Sequence, residues 1–226
     1  FEMKILIINS SVYGKKGQTE TLLDWVKEFF AAEEISTRYM CDDRISPCTG
    51  CNACVHQQRG KCQITDSMDI YRRYLQKSDL IVIGAPIYVN FIPAKLKSFF
   101  ERLRPFNSGK YKINDKGFFS PASLEDNHFR ILVVSTCGFP EIINFEPSRV
   151  FFDSLVRTYD FFKLAGSIYI PAFKMIKDTN PELFAEIKKD FIIGLERIKA
   201  GECFNLMKEY VSKKDFEDYL IKARVF

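Results

Sequence analysis

The chain has 226 residues, of which 46% are hydrophobic, 15% aromatic and 27% charged, with a formal net charge of +4. This composition is typical of a globular protein and excludes collagen-like, coiled-coil and intrinsically disordered chains. No apolar run is long enough to predict a membrane span, and the charge excess is too small to predict nucleic-acid binding. No secretory signal is predicted, so we expect a cytoplasmic protein.

Short apolar runs predict the strands of a sheet. Three of them, Lys4–Asn9, Leu80–Ile83 and Ile131–Val134, are continuous, as expected for strands buried on both faces. Weaker patterns predict two more strands, at residues 35–40 and 168–170. These five segments are the candidate core of the fold.

Apolar residues recur at helical spacing after each predicted strand. The predicted helices cover residues 22–30, 68–75, 93–103, 147–163 and 181–198. Five alternating strands and helices predict an α/β fold, a doubly wound five-stranded parallel sheet with helices on both faces. The flavodoxin-like strand order 2-1-3-4-5 is the leading topology.

The chain divides into one main domain and a tail. Residues 1–200 are predicted to form the flavodoxin-like domain, with a cysteine-rich loop at 47–65. Residues 104–128 contain several Gly and Pro and predict an irregular surface excursion. The amphipathic pattern of residues 201–226 predicts a helical C-terminal tail.

The loop after Asn9 has the composition of an anion-binding turn. It reads Ser-Ser-Val-Tyr-Gly-Lys-Lys-Gly-Gln-Thr and leads from a buried strand to a helix N-terminus, where free N–H groups favour a phosphate. Neither the P-loop nor the dinucleotide glycine pattern is present, so a flavin mononucleotide phosphate suits it better than a nucleoside triphosphate. The alternative is a capped turn without a ligand.

Two further loops lie at the same predicted sheet edge, the carboxyl edge where ligands bind in such folds. The second, Gly84–Pro93, offers the ring of Tyr88 and the amide of Asn90 to a planar ligand. The third, Ser135–Glu141, contains a glycine that permits close backbone approach and Phe139 as a stacking surface. Packing aromatics in ordinary turns are the alternative for both.

Four cysteines lie within fifteen residues, in the spacing C-x₂-C-x₂-C-x₇-C. They are Cys48, Cys51, Cys54 and Cys62. Four thiolates at such spacing can bind an iron–sulfur cluster or, as a second possibility, tetrahedral zinc. Free thiols without metal are the third. With seven cysteines in all, an odd number, a disulfide framework is not predicted.

These segments together resemble the flavodoxin-like NAD(P)H-dependent FMN reductase superfamily, and most of all its iron–sulfur flavoprotein branch. The resemblance is carried by Lys4–Thr21, Pro47–Asp66, Gly84–Arg102 and, more briefly, Ser135–Glu141. It extends over roughly residues 3–200. Where the family often has Ser-Pro-Arg in the first loop, this chain has Ser-Ser-Val, so Lys15 or Lys16 would replace the arginine.

The resemblance implies FMN held non-covalently, NAD(P)H as co-substrate and a possible [4Fe-4S] cluster on the four cysteines. The flavin would carry the chemistry, so no catalytic side chain is predicted. The resemblance also implies a homodimer or homotetramer. The implied contacts are Ser10, Val12, Gln18 and Thr19 for the FMN phosphate, and Pro86, Ile87, Tyr88, Val89, Asn90, Thr136, Cys137, Gly138 and Phe139 for the ring.

Three functions remain open at this point. The first is an FMN-dependent oxidoreductase that takes hydride from NAD(P)H and passes electrons to an acceptor that the sequence does not identify. The second is a flavodoxin-like electron carrier without NAD(P)H turnover. The third is a non-enzymatic binding module with a zinc knuckle.

Overall fold

A computed structural model of the chain describes residues 2–125 and 128–223. Phe1 of the predicted domain, residues 126 and 127 of the excursion, and residues 224–226 of the tail lie outside this described part. In chain order, the strands are β1 Lys4–Asn9, β2 Glu34–Tyr39, β3 Leu80–Gly84, β4 Asn107–Ile113, β5 Phe119–Ser123, β6 Phe129–Thr136, β7 Phe162–Ile170 and β8 Phe204–Met207.

The α-helices connect these strands. They are α1 Gln18–Phe29, α2 Ala53–His56, α3 Met68–Leu75, α4 Ala94–Glu101, α5 Glu146–Thr158, α6 Phe173–Thr179, α7 Pro181–Lys199 and α8 Lys213–Lys222. Among them α7 begins with the expected signals, because Asn180 accepts a hydrogen bond from the Leu183 N–H and a proline follows at the first position.

The main sheet has six parallel strands in the order β2-β1-β3-β6-β7-β8. The first five reproduce the predicted order 2-1-3-4-5, so the flavodoxin-like topology is confirmed. The sixth, β8, was not predicted. It lies within residues 201–226, so the prediction that this whole segment is helical is wrong at residues 204–207.

Alternating side chains of the strands enter two separate cores. Ile5 and Ile7 of β1 pack on the side of α1 and α7, whereas Leu6 and Ile8 pack on the side of α3, α4 and α5. Because both faces of β1 are covered, its apolar run is continuous, as the sequence indicated. The sheet is therefore a rigid support for the loops at its edge.

The largest differences from the predicted boundaries lie at the end of α5 and the start of β7. The helix predicted to run to residue 163 ends at Thr158, and β7 already begins at Phe162. The apolar pair Phe161–Phe162 fits the helical period, but both residues are instead buried in the core on the α3, α4 and α5 side of the sheet. The irregular excursion contains an antiparallel hairpin of β4 and β5. No helix among the described residues is long and apolar enough to cross a membrane.

Candidate functional site

The three predicted loops meet at the carboxyl ends of β1, β3 and β6, and we call this region the carboxyl edge. Ser10 donates hydrogen bonds from its N–H and its hydroxyl to the carbonyl of Gly84, at 2.9 and 2.6 Å. The N–H of Ile87 donates to the carbonyl of Thr136 at 2.9 Å. Residues from all three loops are thus joined directly, as the topology predicted.

Asn9 fixes the shape of the first loop. Its side-chain amide donates to Glu20 at 2.7 Å and to the carbonyl of Gly14 at 3.3 Å, and its oxygen accepts the N–H of Ser11. Gly14 has φ +50°, and a Cβ there would lie 2.6 Å from the Cys41 sulfur, so this turn requires glycine. Neither Asn9 nor Glu20 was predicted as a site residue, although a polar residue at the end of a buried strand is a signal of such a role.

Glu20 is a buried carboxylate in the first turn of α1. Burial by itself would raise the pKa of Glu20, but hydrogen bonds from Lys27, Tyr39 and Asn9 outweigh it and the pKa is lowered. The Lys27 ammonium lies 2.6 Å from the carboxylate and balances its charge. Because Lys27 neutralises Glu20, the Glu20 carboxylate does not repel an anionic ligand at the start of α1.

The N-terminal turn of α1 has unused hydrogen-bonding groups. Gly17 is the N-cap and supplies no side-chain cap, and the first helical N–H with a partner is that of Glu20. The Gln18 side-chain oxygen is buried without a hydrogen-bond partner in the described residues. Free N–H groups at a helix start bind phosphate, and an unpaired amide oxygen can accept a sugar hydroxyl. The residues present thus fit FMN.

The second loop ends in a tight turn from Tyr88 to Phe91. These two residues exchange backbone hydrogen bonds of 2.9 and 3.1 Å, while Val89 and Asn90 have φ +49° and +58°. Positive φ is unfavourable for a β-branched residue, and Val89 is also fully exposed at 100%. Strain of this kind is concentrated at binding sites.

Tyr88 connects the second loop to the first. Its hydroxyl shares a hydrogen bond with the hydroxyl of Ser11 at 3.1 Å and accepts the Val12 N–H at 3.4 Å. Pro86 is buried and Ile87 half-buried, so the early part of this loop belongs to the protein interior. Of the predicted ring contacts in this loop, Val89 and Asn90 are exposed.

The third loop combines a buried and an exposed part. The hydroxyls of Thr136 and Thr19 are 3.3 Å apart, which links the loop to α1. Cys137 is buried, its thiol donates to the carbonyl of Phe139, and burial raises its pKa to about 11, so it stays protonated at neutral pH. Gly138 faces open space, and the Phe139 ring is 59% exposed.

The four clustered cysteines lie on the cysteine segment, residues 46–66, beside the carboxyl end of α4. Cys54 is buried, Cys48 and Cys62 are half-buried and Cys51 is exposed. Burial raises the pKa of the Cys54 thiol, and the charges of the other three cysteines raise it further. The Cys54 sulfur is therefore within electrostatic range of the other three.

This donor set fits a sulfur-ligated group by its chemistry, since one short segment carries four free thiols. Within residues 2–125 and 128–223, no three such side chains are already arranged to hold a metal ion. Metal binding can supply the free energy that orders its own ligands, as it does in small metal-binding domains. Binding here would need the inner part of the cysteine segment to close.

A cavity of about 530 Å³ lies next to the cysteine segment, away from the carboxyl edge. Cys48 and Gly50 border it on one side, and Phe100, Phe151 and Phe162 form its apolar wall. Its size is that of a small-molecule pocket. It was not predicted, because its walls come from α4, α5 and the start of β7.

Residues 3–122 match the family described as NADPH-dependent FMN reductase. The chain is 33% identical over 116 residues to an iron-sulfur flavoprotein of Methanocaldococcus jannaschii, covering 50% of this chain and 58% of the relative. It is 32% identical over 120 residues to an iron-sulfur flavoprotein of Archaeoglobus fulgidus, covering 51% and 56%. The chain thus spans little more than half the length of these curated relatives.

Solved structures share the fold. A FMN-dependent NADH-azoreductase from Bacillus anthracis in complex with FMN has a TM-score of 0.59 at 16% identity, covering 87% of this chain and 99% of that one. A NAD(P)H:quinone oxidoreductase from Methanothermobacter marburgensis has a TM-score of 0.59 at 10% identity, covering 89% and 100%. With the family match over more than half of its length, the chain belongs to the NADPH-dependent FMN reductase family, whose members use FMN and NAD(P)H.

Proposed function

We propose that this chain binds FMN at the carboxyl edge and uses it to take hydride from NAD(P)H and deliver electrons to a second acceptor. The observation that carries the proposal is the joining of three loops around an uncapped α1 N-terminus with an unpaired Gln18 oxygen. When bound, the flavin supplies the hydride and electron chemistry. The protein residues bind and orient it.

The phosphate and the ring would contact different loops. Ser10, Val12, Gln18 and Thr19 would surround the phosphate, mainly through N–H groups at the start of α1. The ring would lie between residues 86–90 and 136–139. The Thr19–Thr136 and Ser11–Tyr88 hydroxyl contacts join the phosphate subsite to the two loops of the ring subsite and fix their relative position.

The exposed turn from Tyr88 to Phe91 would also stabilise negative charge on the bound ring. The backbone N–H groups of Val89 and Asn90 donate no hydrogen bond within the described residues. Fixed N–H donors stabilise negative charge without reorganising, as in an oxyanion hole. Cys137 stays neutral and buried, so we assign it no proton-transfer role.

The four cysteines of the cysteine segment, Cys48, Cys51, Cys54 and Cys62, are the proposed ligands of a [4Fe-4S] cluster. Two observations support them: the four thiols lie within fifteen residues on one segment, and the relatives are named iron-sulfur flavoproteins. Zinc is the alternative for the same four thiols.

A homodimer or homotetramer is also proposed. The β4–β5 hairpin exposes Tyr111, Ile113 and Phe119 at 67%, 64% and 77%. An exposed apolar group of this kind is typical of a protein–protein contact. Sedimentation of the purified protein measures the assembly, and a monomer at micromolar concentration would contradict this part of the proposal.

The decisive experiment is anaerobic purification followed by a visible spectrum, iron and sulfide analysis, and stopped-flow mixing with NADPH and with NADH. We expect about one FMN per chain, about four irons, and rapid flavin bleaching by at least one nucleotide. A preparation with flavin but without iron would contradict the proposed cluster and leave the rest of the proposal unchanged. Bound flavin that neither nucleotide bleaches would favour the electron carrier, and failure to take up FMN would overturn the proposal.

A further inference from the structure

A buried ion pair lies at the junction of α4 and the cysteine segment. Arg102 follows the last residue of α4, and its guanidinium lies 2.8 Å from the carboxylate of Asp66. The two side chains are only 1% and 0% exposed. A buried charge pair gains little net stability over apolar packing, so its presence calls for another reason.

The pair joins both ends of the cysteine segment. Arg102 donates to the carbonyl of Ser46 at 2.8 Å and to that of Ile64 at 3.1 Å, besides its two bonds to Asp66. Asp66 in turn accepts the N–H of Ser46 at 2.9 Å and that of Met68 at 3.0 Å. All four clustered cysteines lie inside the loop that these bonds close.

The fourth clustered cysteine, Cys62, lies near Arg102. A negative charge on its sulfur would attract the guanidinium, although no hydrogen bond joins the two side chains in this structure. The Nε–H of Arg102 is buried and has no hydrogen-bond partner in the described residues. A charged sulfur is a better acceptor than a neutral thiol, so a metal-bound Cys62 would suit this unused donor.

The same helix begins at the carboxyl edge. Pro93, the last residue of the second loop, is the N-cap of α4, and the Lys95 ammonium donates to the carbonyls of Met40 and Asp43 at 2.8 and 3.0 Å. Eight helical residues span about 12 Å. One short rigid element thus connects the second loop to the cysteine segment.

We propose that Arg102 is a positioning residue that closes the cysteine segment on α4 and thereby brings its four cysteines to a single sulfur site. This inference rests on the proposed role of the four cysteines as ligands. Arg102 acts through Asp66 and through the backbone of Ser46 and Ile64, and it needs the two-pronged geometry of a guanidinium rather than a positive charge alone.

Titration of the metal-free full chain with Co²⁺ under argon tests this. Thiolate ligation produces a sulfur-to-cobalt charge-transfer band, which a structural change elsewhere would not produce. We expect the wild type to show it and Arg102→Lys to bind Co²⁺ roughly 10- to 100-fold more weakly, the usual loss when a ligand's supporting group is removed. Arg104→Gln is the matched control, since exposed Arg104 is also a cation near Cys54 but makes neither backbone contact.

The outcomes separate the inference from the proposed function. Absence of the band in the wild type would overturn the four-cysteine site and, with it, this inference. A wild-type band with equal affinity in Arg102→Lys, or an equal loss in Arg104→Gln, would overturn the inference alone.

A double variant tests whether loss of folding, rather than loss of positioning, explains a weaker Co²⁺ affinity. Arg102→Met with Asp66→Leu removes both buried charges and leaves no unpaired ion, so we expect it to fold and to keep FMN binding. It should still lose Co²⁺ affinity to a similar extent. Wild-type affinity in this folded variant would contradict a positioning role for Arg102.

Discussion

The carboxyl edge and the cysteine segment are held in place by different means. Each loop of the carboxyl edge leaves a strand buried on both faces, and short bonds such as Ser10 to Gly84 continue the sheet into the loops. The cysteine segment has only the four-residue helix α2, and a single buried ion pair joins its ends. Single substitutions at the carboxyl edge should therefore have small effects, because many bonds share the load, whereas loss of the ion pair in the cysteine segment should have a large one.

The largest effect is expected at the ion pair. Arg102→Ala leaves Asp66 buried and unpaired, which should lower the free energy of unfolding by about 3–5 kcal/mol in urea titrations. Arg149→Ala is the control, because Arg149 is 41% exposed beside Glu146 and Asp153 and should cost about 1 kcal/mol or less. Similar losses in both variants would remove the contrast between the two regions.

A smaller effect is expected at the carboxyl edge. Thr136→Val keeps the side-chain shape but breaks the hydroxyl contact with Thr19, which should weaken FMN binding by about 1 kcal/mol, or roughly fivefold in Kd. Thr179→Val, at an exposed position of α6, is the control. The variant should remain folded by circular dichroism; unfolding without a change in flavin affinity would contradict the assigned site.

Val89→Gly is expected to stabilise the free protein. Glycine adopts φ +49° without strain, and Val89 buries nothing, so the free energy of unfolding should rise by about 1 kcal/mol after the added chain entropy is counted. The same change at exposed Val150 in α5 should destabilise by about 1 kcal/mol. Thermal unfolding of both variants measures these changes. If Val89→Gly and Val150→Gly both lose stability, the turn is not strained.

The smallest effect is the acid dependence of the first loop. The folded-state pKa of Glu20 is lowered, so the ionised carboxylate stabilises the fold. This stabilisation is complete above the unfolded pKa of about 4.3 and is lost as pH falls through the folded value. Stability of the wild type should therefore decline below about pH 4.5 more steeply than that of Glu20→Gln. Parallel curves would mean that Glu20 is not held as a carboxylate.

The sequence predicted the sheet well because continuous apolar runs such as Leu80–Ile83 have few alternatives to a buried strand. It missed β8 because Phe204–Met207 is a four-residue, partly exposed edge strand without a clear period. The end of α5 was misplaced because local periodicity does not reveal that Phe162 starts the next strand.

The loops of the site were predictable because topology brings the strand ends together, whatever the loop conformation. The contacts that shape them were not. The Arg102–Asp66 pair joins residues 36 positions apart, and nothing in the spacing of either residue indicates the other. The strained Val89 turn likewise lacks the glycine by which such turns are usually recognised.

The contact between Phe139 and the C-terminal helix has a consequence for the order of assembly during synthesis. The ring of Phe139 lies 6.3 Å from that of Phe216 in α8, which packs into the core beside β7. The ribosome completes β1, β3 and β6 long before residue 216 emerges, and domains fold as their segments become available. A nascent chain therefore has its three loops before it has the outer cover of the third, and the Phe139–Phe216 contact forms only after α8 has emerged.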